Sequence, residues 1–202
     1  MIAPEILTGG FSEPVFQSQA VFRQVLDAFA RPGRVVAMPS VVTAPSPLFT
    51  PTAAFLCTFA DEATPVHFEA GLAGGAAAAW VTFHTGAPLA ERPDLAQFAI
   101  VTDPLALPDL ETFALGTQEY PDRSTTIVIQ VESLFGGDRF RLEGPGIDGA
   151  AEASPAPTPR NFLPALARNR MLFPRGVDLV LAAPDAILAL PRSTRVTALR
   201  GA

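Results

Sequence analysis

The segment Pro191-Arg192-Ser193-Thr194-Arg195 places two arginines around two hydroxyl residues at the end of an apolar run. Two planar guanidinium forks and two O–H donors would suit a phosphate or phosphonate, with Arg192, Thr194 and Arg195 as the gripping groups. A surface strand end carrying solvated arginines has the same pattern. His84 stands just before the turn Gly86-Ala87-Pro88, where an imidazole would bind an anion, serve as a general acid or cap the turn. It is the single candidate for a catalytic role. Arg23, inside a helical stripe, is a further anion-binding candidate. His67 lies within a strand-like run and reads as a packed or surface side chain. Cys57, among Phe55 and Phe59, reads as a buried, inert thiol.

Other chemistries are closed by composition. All 14 positively charged residues are arginine, so the chain can form neither a Schiff base with pyridoxal phosphate nor a P-loop. One cysteine cannot make an intrachain disulfide or a four-cysteine cluster. The two histidines, His67 and His84, lack H-x-x-x-H spacing, and no metal site is expected. Neither G-x-S-x-G nor a strand-following G-x-G-x-x-G occurs. The formal charge of −6 argues against a nucleic-acid binder. It is unevenly spread: residues 160–202 hold seven arginines against Asp178 and Asp185, a net of +5, and residues 1–159 carry −11. No apolar run approaches the roughly 18 residues of a membrane span, and the start lacks the basic, apolar character of an export signal. A cytoplasmic protein is expected.

With 202 residues, 49% of them hydrophobic, the chain suits a single domain over 1–202. Residues 1–15 read as an irregular lead-in. A helix follows over 18–30, with Ser18 as N-cap, the stripe Val21, Phe22, Val25, Leu26 and Phe29, and a stop at Arg31-Pro32-Gly33. Strands are predicted over 34–38, 64–68, 98–101, 125–131, 177–182 and 187–190, and 140–142 is expected to continue the same sheet. Helices are predicted over 50–61, 109–115 and 161–172. The small-residue tract 74–79 suits a helix or a tight turn. Residues 144–159, crowded with Gly, Pro and Ala, read as an exposed loop. Alternating helices and apolar strands give an α/β class with a central sheet covered by helices.

Six strings occur in one order along the chain: FRQVLDAFARPGRV (22–35), DEATPV (61–66), FHTGAPL (83–89), RLEGPG with the loop after it (141–152), FPRGVDLVL (173–181) and LPRSTRV (190–196). Together they resemble the PhnH family of the bacterial carbon–phosphorus lyase system. Ser193 is a minor departure from the threonine expected there. The resemblance implies a three-layer α/β/α fold with a mixed central sheet, like that of pyridoxal-phosphate-dependent transferases but without the cofactor. It implies a complex with PhnG, PhnI and PhnJ that couples an alkylphosphonate to C1 of the ribose of ATP and releases adenine. Catalysis and the iron–sulfur cluster are expected on the other subunits. This chain would be an accessory subunit, homodimeric when isolated and without a cofactor. The alternative is a phosphate or phosphonate site of its own built from Arg192, Arg195 and His84. A free-standing hydrolase is disfavoured, because no nucleophile–base pair is visible.

Overall fold

Proline opens two of the four longer helices. The structure, a computed structural model, describes residues 4–69 and 71–199. Helix α1 (Pro4–Leu7) is a single turn, and α2 (Pro14–Ala30) begins at Pro14, whose fixed φ suits the first turn and whose missing N–H leaves no helical bond unmade. The residue before α2 is Glu13. Ser18 lies inside the helix, its hydroxyl donating to the Val15 carbonyl, so the predicted cap is corrected. The lead-in expected to be irregular is thus helical in two places, with residues 1–3 outside the described residues.

Strand β1 (Val36–Ala37) is short, and α3 (Thr50–Phe59) has Pro51 in its first turn, as its sequence predicts. After β2 (Val66–Phe68), the small-residue tract becomes the start of α4 (Ala76–Thr85). That helix ends at Gly86, whose φ of 74° is a left-handed position suited to glycine. His84 therefore occupies the last turn of a helix. Strands β3 (Phe98–Val101) and β4 (Thr126–Gln130) fall where expected, but the helix predicted over 109–115 is one 3₁₀ turn, Leu110–Thr112. Then come β5 (Phe140–Glu143), β6 (Ala151–Ala153), α5 (Phe162–Met171), β7 (Asp178–Ala182), β8 (Ala186–Leu190) and β9 (Arg195–Ala198).

The central sheet has the order β1-β8-β7-β4-β3-β2. Strands β2, β3, β4 and β7 run parallel, in register from Val66 opposite Phe98 to Val128 opposite Val180. Strand β8 folds back antiparallel on β7, and β1 pairs antiparallel with β8, so the sheet is mixed. Alternation of side chains along each strand splits the core in two. Phe98, Ile100, Val128 and Val180 meet α2, α3 and α4 on one face. Ala99, Ile127, Ile129, Leu179 and Leu181 meet the other layer.

That other layer corrects two expectations. Residues 140–143 do not extend the central sheet: β5 is the middle strand of a separate antiparallel sheet of order β6-β5-β9. The supposed loop 144–159 contains β6, and Ala153 is buried. The third layer is therefore α5 together with this small sheet, rather than helices alone. Phe140, Leu142, Ala153 and Val196 from the sheet and Phe162, Ala165 and Leu166 from α5 share the second core.

Candidate functional site

Asp178 begins β7, Ser124 precedes β4, and Arg192 follows β8, so the sheet brings three distant positions to its amino-terminal edge. Arg192 Nε donates to Asp178 Oδ1 at 3.1 Å, and Nη2 donates to Asp178 Oδ2 and Ser124 Oγ at 2.5 Å each. Nη1 donates to the carbonyls of Pro121 at 2.8 Å and Pro174 at 3.3 Å. A guanidinium has five N–H groups, and all five are committed here. Its side chain is 12% exposed. Arg192 joins the segments before β4, before β7 and after β8; an anion would have to displace protein acceptors to reach it.

The remaining anion-binding candidates do not gather around it. Arg195, at the start of β9, points its exposed side chain toward Glu143, with an N···O separation of 3.9 Å. Thr194 is buried, and its Oγ1 has no hydrogen-bond partner among the described residues. Arg23 is exposed on α2 and forms no ion pair among the described residues. His84 is held by the N-terminal segment: Nε2 lies 3.3 Å from the Thr8 carbonyl, and its ring is 4.5 Å from the Trp80 ring.

A different constellation lies at the opposite edge of the sheet. Val66 and Phe68 face α2–α4, so His67 and Glu69 project from the other face of the same strand. With Asp103, just beyond β3, they line a cleft of about 470 Å³. Apolar walls come from Ile100, Val101, Pro108 and Phe113. The His67 Nδ1 is 3.0 Å from the Ala90 carbonyl; since a carbonyl only accepts, Nδ1 carries a proton, and in the neutral ring Nε2 is then an acceptor. Glu69 Oε1 accepts from the Thr102 backbone N–H at 2.9 Å and from the Thr102 hydroxyl. Asp103 Oδ1 accepts from the Leu105 N–H at 2.9 Å. Parallel α/β sheets commonly place ligands at this carboxyl end of the strands. The sequence reads His67 as a packed or surface side chain, and the i, i+2 spacing of His67 and Glu69 puts both on one face.

Cys57 is half-buried on α3 rather than fully buried as expected, and burial pushes its pKa up to about 12. The folded protein should therefore react slowly with a thiol reagent at pH 8 and promptly once unfolded in urea. The same shift makes stability independent of this group below about pH 9. Stability is then lost as pH rises from 9 toward 12, because the unfolded thiol ionises first. A urea titration at pH 8 and pH 10 with Cys57→Ala as reference measures that slope.

Residues 9–197 match the family model described as bacterial phosphonate metabolism protein (PhnH). The chain belongs to the PhnH family. It is 44% identical over 192 residues to the alpha-D-ribose 1-methylphosphonate 5-triphosphate synthase subunit PhnH of Rhizobium meliloti (strain 1021), covering 95% of this chain and 96% of that one. A second relative, from Stutzerimonas stutzeri and provisionally named C-P lyase subunit protein HtxG, is 29% identical over 189 residues, 92% of this chain and 88% of that one. The PhnH family match spans both sheets and all the helices from α2 onward, so the Arg192 junction and the His67 cleft both lie within it.

Proposed function

We propose that this chain is a non-autonomous subunit of an alpha-D-ribose 1-methylphosphonate 5-triphosphate synthase, acting in organic phosphonate breakdown as an accessory component. The observation that carries this reading is the 44% identity along nearly the whole of a relative that bears this subunit's name. The partners would be PhnG, PhnI and PhnJ, and the assembly, a transferase, would couple an alkylphosphonate to the ribose C1 of ATP with loss of adenine. The commitment of every Arg192 donor to protein acceptors supports a structural emphasis for the segment expected to bind phosphonate. Of the arginines expected to bind an anion, Arg195 and Arg23 are the two that keep exposed side chains. With no lysine in the sequence, a Schiff-base cofactor has no attachment point, so likeness to the pyridoxal-phosphate transferase fold would be one of architecture alone. We place the protein in the cytoplasm and read it as a homodimer when isolated; among the described residues no helix is long and apolar enough to cross a membrane.

The test is adenine release from ATP and methylphosphonate. The purified chain alone should release none, whereas co-expression with the three partner subunits should yield one particle that does. Adenine release by the isolated chain would overturn the subunit reading.

A further inference from the structure

We propose that the cleft between the carboxyl ends of β2 and β3 binds a small organic cation, a guanidinium or primary ammonium compound, through His67 Nε2, Glu69 and Asp103. This goes beyond the proposed function, whose substrates are anions, and it stands or falls separately from it.

The first argument is the chemistry of the lining. Each polar group is held through one of its atoms and keeps the other for a ligand: His67 is held through Nδ1, Glu69 through Oε1, which takes two donors from Thr102, and Asp103 through Oδ1. Fixing one atom of each group reduces the rearrangement needed on binding. No arginine is among the described residues that line the cleft. A phosphate or phosphonate would meet two carboxylates and an imidazole lone pair, whereas a donor-rich cation would find an acceptor in each.

The second argument is the contrast with the rest of the surface. The neighbouring cleft at the carboxyl ends of β4 and β7 is lined by Glu132 and Asp185, also without an arginine among the described lining. The cleft at the amino-terminal edge sets Arg123 beside Asp94 and Asp122, and the one beside the small sheet sets Arg139 beside Glu152. The two clefts at the carboxyl edge are thus the ones whose acids have no arginine beside them in the lining, and carboxylates in a concave site attract cations. Size suits a free small molecule. A cleft of about 470 Å³ falls within the 300–1,000 Å³ typical of small-molecule sites, and Val101, Pro108 and Phe113 offer apolar surface to an aliphatic stem.

The chain has only two histidines, so imidazole NMR of the full-length protein resolves the question. Agmatine, which carries a guanidinium and an ammonium on a short aliphatic stem, should shift the His67 ring resonances saturably and leave those of His84 in place. Inorganic phosphate at the same ionic strength should not. Glu69→Gln and Asp103→Asn should each weaken agmatine about tenfold, the factor produced by losing roughly 1.4 kcal/mol of charge-assisted hydrogen bonding. The two lie beyond different strands, so if one variant fails to fold, the other carries the same expectation. An unmoved His67, equal non-saturating shifts at both histidines, or a matching response to phosphate would each overturn the proposal. So would protection of His67 seen only in the complex with partner subunits, because a partner side chain would then be the occupant.

Discussion

Arg192→Ala should lower the stability of the isolated chain by about 3–5 kcal/mol, the usual consequence of removing one member of a largely buried ion pair. The mutation leaves Asp178, which would retain the Arg192 backbone N–H at 2.7 Å but lose its contacts with Nε and Nη2. Ser124 Oγ and the Pro121 and Pro174 carbonyls lose their donors as well. For a chain of this size the midpoint of thermal unfolding should fall by roughly 10 °C. Arg192→Lys should recover only part of the loss, because an ammonium has three donors and no planar fork with which to reach Asp178, Ser124 and two carbonyls together. Urea unfolding followed by Trp80 fluorescence measures both. The opposite pattern, unchanged stability with reduced activity of the assembled complex, would restore Arg192 to ligand binding and overturn the structural role.

This side chain also shows how far the sequence could be read. The local string Pro191–Arg195 contains anion-binding groups, and nothing within it reveals that Asp178 lies 14 residues away and Ser124 lies 68 away in sequence yet within reach in space. Only the pairing of β4 with β7 and of β7 with β8 brings them to one edge. Elements with strong local chemistry were legible: Thr-Pro at the start of α3, the run Ile127-Val128-Ile129, and Leu179-Val180-Leu181 all appear as their patterns dictate. The small sheet was not. An alternating strand such as Phe140-Arg141-Leu142 looks the same whichever sheet it joins, because period two specifies a buried face but not a partner. Strand β6 is Ala-Glu-Ala within a Gly- and Pro-rich stretch, with no β-branched residue to announce it; its pairing to β5 is a tertiary decision. His67 reads as a packed or surface side chain for a related reason. Its neighbours in the chain are apolar, while the carboxylates that share its cleft come one from the end of the same strand and one from the end of the next.

Trp80→Ala should cost about 3–5 kcal/mol, because it empties the largest fully buried side chain in the protein. It also removes the only tryptophan, so this variant must be followed by circular dichroism. Trp80→Phe is the more informative substitution. It keeps an aromatic ring in the core and deletes the indole N–H, which donates to the Thr8 carbonyl at 2.7 Å. That carbonyl also receives His84 Nε2, so two side chains of α4 hold one point of the N-terminal segment. The next residues are held as well: the Gly9 carbonyl accepts from the Thr43 N–H at 2.7 Å. A Cβ at Gly10 would lie 2.4 Å from His84 Nδ1, so that residue must be small for the segment to lie against α4. Losing the indole donor should cost about 1 kcal/mol globally, yet it should raise hydrogen exchange at the Thr43 amide, whose acceptor belongs to the loosened segment. Unchanged exchange at Thr43 with a full loss of stability would show that Trp80 acts by packing alone. Faster exchange would show that the indole N–H helps to clasp α4 to the segment following α1, the same point that His84 Nε2 contacts.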